Sequence, residues 1–237
     1  MTPRDSYKSL LSHYEKIIAL EQVSEMLSWD QQTMMPIKGC ENRARQLSVL
    51  SGTIHGLRTD PKILDFINDA ETITDENVLA NLNLARKQFK RATLVPKSLI
   101  EELASTTCLA QQSWFSAKCR NDFSLFLPEL EKIITLKQNE ADCLKDPGAK
   151  KYDALLNDFE PDETVAKVKN LFMKLKPKLI ELREKVFDSK VKIPNLNGFY
   201  PKVNQLELGT EVAKKLGYDV DAGRIDLSAH PFCSGSN

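Results

Sequence analysis

Apolar positions recur at helical spacing along most of the chain. Near the N-terminus Tyr7, Leu10, Leu11, Tyr14, Ile17 and Ile18 form one stripe. That helix is predicted to stop near Met35-Pro36, because a residue ahead of proline disfavours the α region. A second helix is predicted from about Cys40 to His55, with Ala44, Leu47, Leu50 and Ile54 inward and Gly56 as its end. Asp60-Pro61 reads as a cap followed by a first-turn proline, opening a short helix with Ile63, Leu64, Phe66 and Ile67. Thr74-Asp75-Glu76 opens the next, with Val78, Leu82, Ala85 and Phe89 on one side. Pro96 starts another that carries Leu99, Leu103, Leu109 and Trp114.

Two later segments carry the clearest periodicity. After a candidate cap at Asp122, the residues Phe123, Phe126, Leu127, Leu130, Ile133 and Ile134 mark a buried face. Val165, Val168, Leu171, Phe172, Leu175, Leu179, Leu182 and Val186 follow the same rule over a rod of about 33 Å. Pro177 falls inside that rod and predicts a kink or a fresh helix start. Beyond Val191 the character changes. Pro194, Gly198 and Pro201 punctuate a loop, a short helix is predicted from near Lys202 to Leu216, and Gly217 is its stop. Val220, Ile225 and Leu227 then alternate as in a strand. The fold class is mainly α, many helices with a short strand or irregular segment at the C-terminal end.

Composition narrows the function classes. The 237 residues carry 33 Lys+Arg against 33 Asp+Glu, so the net charge is zero. That balance removes the global electrostatic case for nucleic acid or for an acidic membrane surface. No stretch reaches the run of about 18 apolar residues that a membrane span needs. No signal peptide is visible, the five cysteines are an odd number, and none form a C-x-x-C pair. These features together predict a cytoplasmic address.

Candidate chemistry is sparse. The three histidines, His13, His55 and His230, include no pair at metal-ligand spacing on one helix. His230 and Cys233 could share a metal by spacing, but two ligands fall short of the three or four that zinc takes. Ser228 lies near His230 without a G-x-S-x-G elbow, and no glycine-rich phosphate loop occurs. Arg86-Lys87-Gln88-Phe89-Lys90-Arg91 reads as a solvated helix face rather than a nucleic-acid site. Asp158 and Glu160 have no assigned acid or base role, and Trp29 and Trp114 read as core anchors.

Several segments nevertheless form a recognisable set. They are Leu27-Ser28-Trp29-Asp30 with Thr33, Met34, Met35 and Pro36; Arg43-Ala44-Arg45-Gln46 on the helix ending in His55; and Trp114 with Ala117, Arg120, Asn121, Asp122, Phe123, Phe126, Pro128 and Leu130. Two more are the run Tyr152 to Pro161 and the run Gly223 to Cys233, which contains His230-Pro231-Phe232. In this order, from Tyr7 to the last residues, they resemble the thermostable carboxypeptidase family (carboxypeptidase Taq, peptidase family M32). The resemblance implies a helical, zinc-dependent metallocarboxypeptidase. Such enzymes remove single residues from peptide C-termini, usually sparing proline, and typically form homodimers. Zinc is held there by both histidines of an H-E-x-x-H helix and a later glutamate, and the glutamate inside the motif is the general base.

The 237 residues contain no H-E-x-x-H and no D-x-R-x-T. The resemblance therefore implies an N-terminal half: residues 1–192 as a helical region forming one side of a substrate cleft, and 193–237 as the start of the catalytic core. It carries over only His230, Pro231 and Phe232, as cleft-lining residues, with no catalytic residue and no metal ligand. Zinc would belong to the full-length protein, its ligands lying outside this chain. The expected partners are a peptide substrate and a second copy or a complementing C-terminal half, and the chain alone is expected to be inactive. The alternative expectation is a non-catalytic helical interaction protein, or a gene relic, whose uncovered faces present apolar patches.

Overall fold

Thr2 opens the first helix: its hydroxyl accepts from the Asp5 N–H while the Asp5 carboxylate reaches back to the Thr2 N–H, with Pro3 at the first helical position. The computed structural model describes residues 1–191 and 194–228. Its helices are α1 (Pro3–Thr33), α2 (Cys40–Arg58), α3 (Lys62–Ala70), α4 (Glu76–Leu94), α5 (Lys97–Arg120), α6 (Leu127–Leu144), α7 (Lys151–Leu156), α8 (Val165–Phe187) and α9 (Lys202–Lys215). The fold is helical, and no strand occurs among the described residues. The chain divides into two compact units, one built from Met1–Thr164 and one from Val165–Ser228.

The first unit holds the buried core. One cluster joins Leu10 of α1, Ile63, Ile67 and Ala70 of α3, and Leu82 and Ala85 of α4. A second joins Cys40, Ala44 and Leu47 of α2 to Cys108 of α5, with Leu27 and Met35 packed against it. The inward face of α1 is narrower than its apolar pattern: Leu10 and Ile17 are buried, but Leu11 and Ile18 are 41% and 51% exposed. Ser6 takes a buried position there because its hydroxyl donates to Asp69 at 3.1 Å.

Local caps set several of the helix ends. The Asp75 carboxylate accepts from the N–H groups of Asn77 and Val78 at 2.9 and 3.1 Å, which opens α4. α5 ends with Asn121 in the left-handed region at φ 51°, and the Asp122 N–H returns to the Ala117 carbonyl at 2.9 Å. Gly217, at φ 95°, follows α9 as expected. Gly56 does not end α2, which continues to Arg58 and closes with Thr59 capping onto the His55 carbonyl.

The expected start of α6 is corrected. Asp122 caps a single 3-10 turn (Phe123–Leu125) rather than α6, which starts only at Leu127. The inward face is narrower than the pattern: Phe123 and Ile134 are 60% and 48% exposed, while the stripe through Leu130 and Ile133 continues to the buried Leu136, Glu140 and Ala141. On α5 Leu103, Thr106 and Ala110 are buried and Leu109 is exposed. Of the two expectations at Pro177, a fresh start does not occur: the residue lies inside one continuous helix, α8. The helix is exposed there, so the carbonyl that proline leaves without its amide partner can be solvated. Of the strand or irregular segment expected near the C-terminal end, 218–228 is the irregular alternative, built of turns. Ala222 and Gly223 bond back to the Asp219 carbonyl, Tyr218 Oη donates to the Arg224 carbonyl at 3.1 Å, and Arg224 pairs with Asp226 through two bonds of 2.7 Å. These local bonds satisfy the backbone without a neighbouring strand.

In the second unit no described residue is buried. The stripe of α8 exists as the pattern predicts, yet Leu171, Phe172, Leu175, Leu179, Leu182 and Val186 are all more than two-fifths exposed. The core of the first unit therefore sets the measurable stability. Ile67→Ala, which truncates a fully buried side chain, is expected to destabilise the chain by about 3 kcal/mol in urea denaturation followed by circular dichroism.

Candidate functional site

The matched N-terminal segments converge where the end of α1 meets α2 and α5. Arg43 takes a position in the inward stripe of α2, two turns ahead of Leu50 and one ahead of Leu47. Its guanidinium donates to the Leu27 carbonyl and to Asp30 Oδ2, the latter at 2.5 Å, and its Nε donates to Gln46 Oε1 at 3.2 Å. The Arg43 side chain is 10% exposed against 34% for Asp30, so this is a partly desolvated pair rather than a rim contact. The same guanidinium thereby ties α2 to the backbone of α1.

One residue further, Gln31 reaches α5: its Nε2 donates to the Cys108 carbonyl at 2.9 Å, and its Oε1 accepts from the Cys108 thiol at 3.2 Å. The Cys40 thiol points at the same carbonyl, 3.7 Å away. Thus Asp30 and Gln31 of α1 hold one helix each. α2 and α5 also approach closely at Gly52, where a Cβ would meet Glu101 Oε1 at 2.0 Å. Glu101 is held there by Lys97 at 3.5 Å.

The other candidates have structural partners. His13 Nε2 is 2.8 Å from the Leu57 carbonyl. His55 sits beside Lys97 and Glu101, and burial followed by the Lys97 cation lowers its pKa below the ordinary value. The basic run on α4 ties down loops. Arg86 bonds Glu71, Lys87 bonds Asp162 at 2.9 Å, and Arg91 bonds Asp158 at 2.5 Å and the Ala154 carbonyl at 3.1 Å. The Tyr152–Pro161 segment is held in this way, while Tyr152 and Phe159 stay exposed. Trp114 is half-buried, with the Lys118 ammonium 5.2 Å from its ring centroid.

His230, Pro231 and Phe232 lie outside the described residues, as do Cys233 and the rest of 229–237. Among the described residues no three His, Cys, Asp or Glu side chains are grouped to hold a metal ion. The described residues therefore supply no metal centre of their own. No helix among the described residues is long and apolar enough to cross a membrane.

The arrangement carries two expected outcomes. Arg43→Met leaves Asp30 without its ion-pair partner and removes the tie to the Leu27 carbonyl, and is expected to cost about 2 kcal/mol in urea denaturation. Asp30→Asn, which keeps a hydrogen-bond acceptor, should cost less. For His55, protonation is disfavoured in the folded chain. Its stabilising contribution is complete above the unfolded pKa of about 6.5 and is lost as the pH falls below it toward the depressed folded value. Between about pH 7 and pH 5 the wild-type urea midpoint should therefore fall more steeply than that of His55→Gln.

Comparison with known proteins matches this geometry to a family. The sequence profile of the carboxypeptidase Taq (M32) metallopeptidases matches residues 9–237. The chain is 33% identical over 248 residues to thermostable carboxypeptidase 1 of Thermus thermophilus, covering 98% of this chain and 48% of that protein. It is 32% identical over 234 residues to carboxypeptidase 1 of Bacillus subtilis, covering 96% and 45%. The crystal structure of BsuCP superimposes with a TM-score of 0.87 at 29% identity, covering 98% of this chain and 48% of that one. The chain spans about half the length of the curated relatives it matches. It belongs to the carboxypeptidase Taq (M32) metallopeptidase family.

Proposed function

We propose that this chain is the N-terminal half of a zinc carboxypeptidase that removes single residues from the C-termini of peptides in the cytoplasm. Residues 1–192 form one side of the peptide cleft and residues 193–237 begin the catalytic core. His230, Pro231 and Phe232 line the cleft. The zinc ligands and the general base come from polypeptide outside these residues, and the assembled protein is a homodimer. The observation that carries this reading is coverage: nearly the whole chain aligns with under half of each curated relative. The bare stripe of α8 supports it, since a regular apolar face left in solvent is a face made to be covered.

The same stripe is what a non-catalytic interaction protein would use, and one experiment separates the two. The chain is assayed alone, then with a polypeptide encoded by the adjoining reading frame, for zinc content and for release of the C-terminal residue from an N-blocked dipeptide. Alone it should bind no stoichiometric zinc and release nothing; with a partner carrying H-E-x-x-H, release should appear and vanish with a chelator. Stoichiometric zinc and chelator-sensitive trimming by the pure chain would overturn the half-enzyme reading. Stable binding of a partner without trimming would favour the interaction protein. Leu175→Ser with Leu179→Ser should leave the chain's own stability within about 0.5 kcal/mol, because both side chains are exposed, and should abolish the restored activity.

A further inference from the structure

Two buried thiols meet where α2 crosses α5, and the proposed carboxypeptidase role uses neither. Cys40 is the first residue of α2 and Cys108 lies in the middle of α5, at 3% and 4% exposure. The Cys40 sulfur is 3.7 Å from the Cys108 carbonyl oxygen, and the Cys108 thiol is held by Gln31 Oε1 at 3.2 Å. Both side chains pack in one buried cluster with Ala44 and Leu47. A disulfide needs its two cysteines to be such close packing neighbours. Among the described residues all four cysteines are free.

We propose that Cys40 and Cys108 are a redox-modification site, converted by a low-molecular-weight disulfide such as oxidised glutathione into a disulfide that joins α2 to α5. The Cys40 thiolate attacks one glutathione sulfur, forming a mixed disulfide and releasing one glutathione thiolate. The Cys108 thiolate then attacks the Cys40 sulfur, and the second glutathione leaves. The two protons lost from the cysteines end on the two leaving thiolates, so two protein thiols are oxidised and one glutathione disulfide is reduced to two thiols.

The surroundings set the rate. Burial raises both thiols, and Cys108 reaches about 11 with Cys40 as a further cause. Few thiolates therefore exist at neutral pH, and exchange waits on local opening. The turn Ile37–Gly39 next to Cys40 is the place for that opening, since Ile37 is 70% exposed. Once formed, the bond closes a long loop of chain, which restricts the unfolded state. This inference is independent of the carboxypeptidase reading.

The test uses the wild-type chain. It is equilibrated with mixtures of reduced and oxidised glutathione, alkylated, digested and mapped by mass spectrometry. A Cys40–Cys108 peptide should appear under oxidising mixtures and vanish with reductant, and the oxidised chain should melt about 8 °C higher. Cys40→Ser and Cys108→Ser should each lose the cross-linked peptide and the rise in Tm. Recovery of both residues as free thiols, or as separate glutathione adducts, would overturn the proposal. So would a cross-link that lowers Tm, because it would have formed only in the unfolded chain.

Discussion

The Arg43 guanidinium is the interaction on which the first unit depends. It is the one cation of α2 placed in an inward apolar stripe, and it is tolerated there because Asp30, the Leu27 carbonyl and Gln46 surround it. A charge in that position has no neutral alternative, so the three acceptors must stay where they are. Their positions fix the end of α1 against the start of α2. Gln31 follows Asp30 and is thereby delivered to Cys108 on α5. One ion pair thus sets the mutual placement of three helices, and the close approach at Gly52 and Glu101 is the other end of the same contact.

Helix existence and most boundaries were legible because caps are local chemistry. Thr2 with Asp5, Asp75 and Gly217 act on atoms within a few residues, and the chain shows them directly. Facing was less legible. The stripe from Phe123 to Ile134 assumed one uninterrupted helix, whereas a 3-10 turn precedes α6 and only the side of the stripe that leads to Leu136 and Ala141 turns inward. The α8 pattern correctly marks an amphipathic helix, but periodicity records that a face needs cover without saying where the cover is. At Pro177 and after Gly217 the sequence left alternatives open for a related reason: exposure decides what proline costs, and a strand needs a neighbour that no local pattern supplies.

The site was legible only in pieces. Asp30 and Arg43 each sit in a family segment, but their pairing is a tertiary fact that spacing does not encode. A signal existed all the same: an arginine in the register of Ala44, Leu47 and Leu50 announces a buried partner. Cys40 and Cys108 are 68 positions apart, and nothing along the chain joins them. The basic run on α4 reads as a solvated face, yet Arg86, Lys87 and Arg91 all hold acidic loop residues. Its charge serves to clamp loops, including the family segment around Asp158.

The uncovered second unit has a thermodynamic consequence. Apolar surface that is wet before and after unfolding adds nothing to the heat capacity of the transition. A calorimetric melt of this chain would therefore report on residues 1–164, with α8 and α9 contributing helix–coil enthalpy but little cooperativity. Whatever covers α8 acts on the second unit as a ligand acts on any folded state, by mass action. The order of that unit is then set by the concentration of its cover, and not by its own sequence.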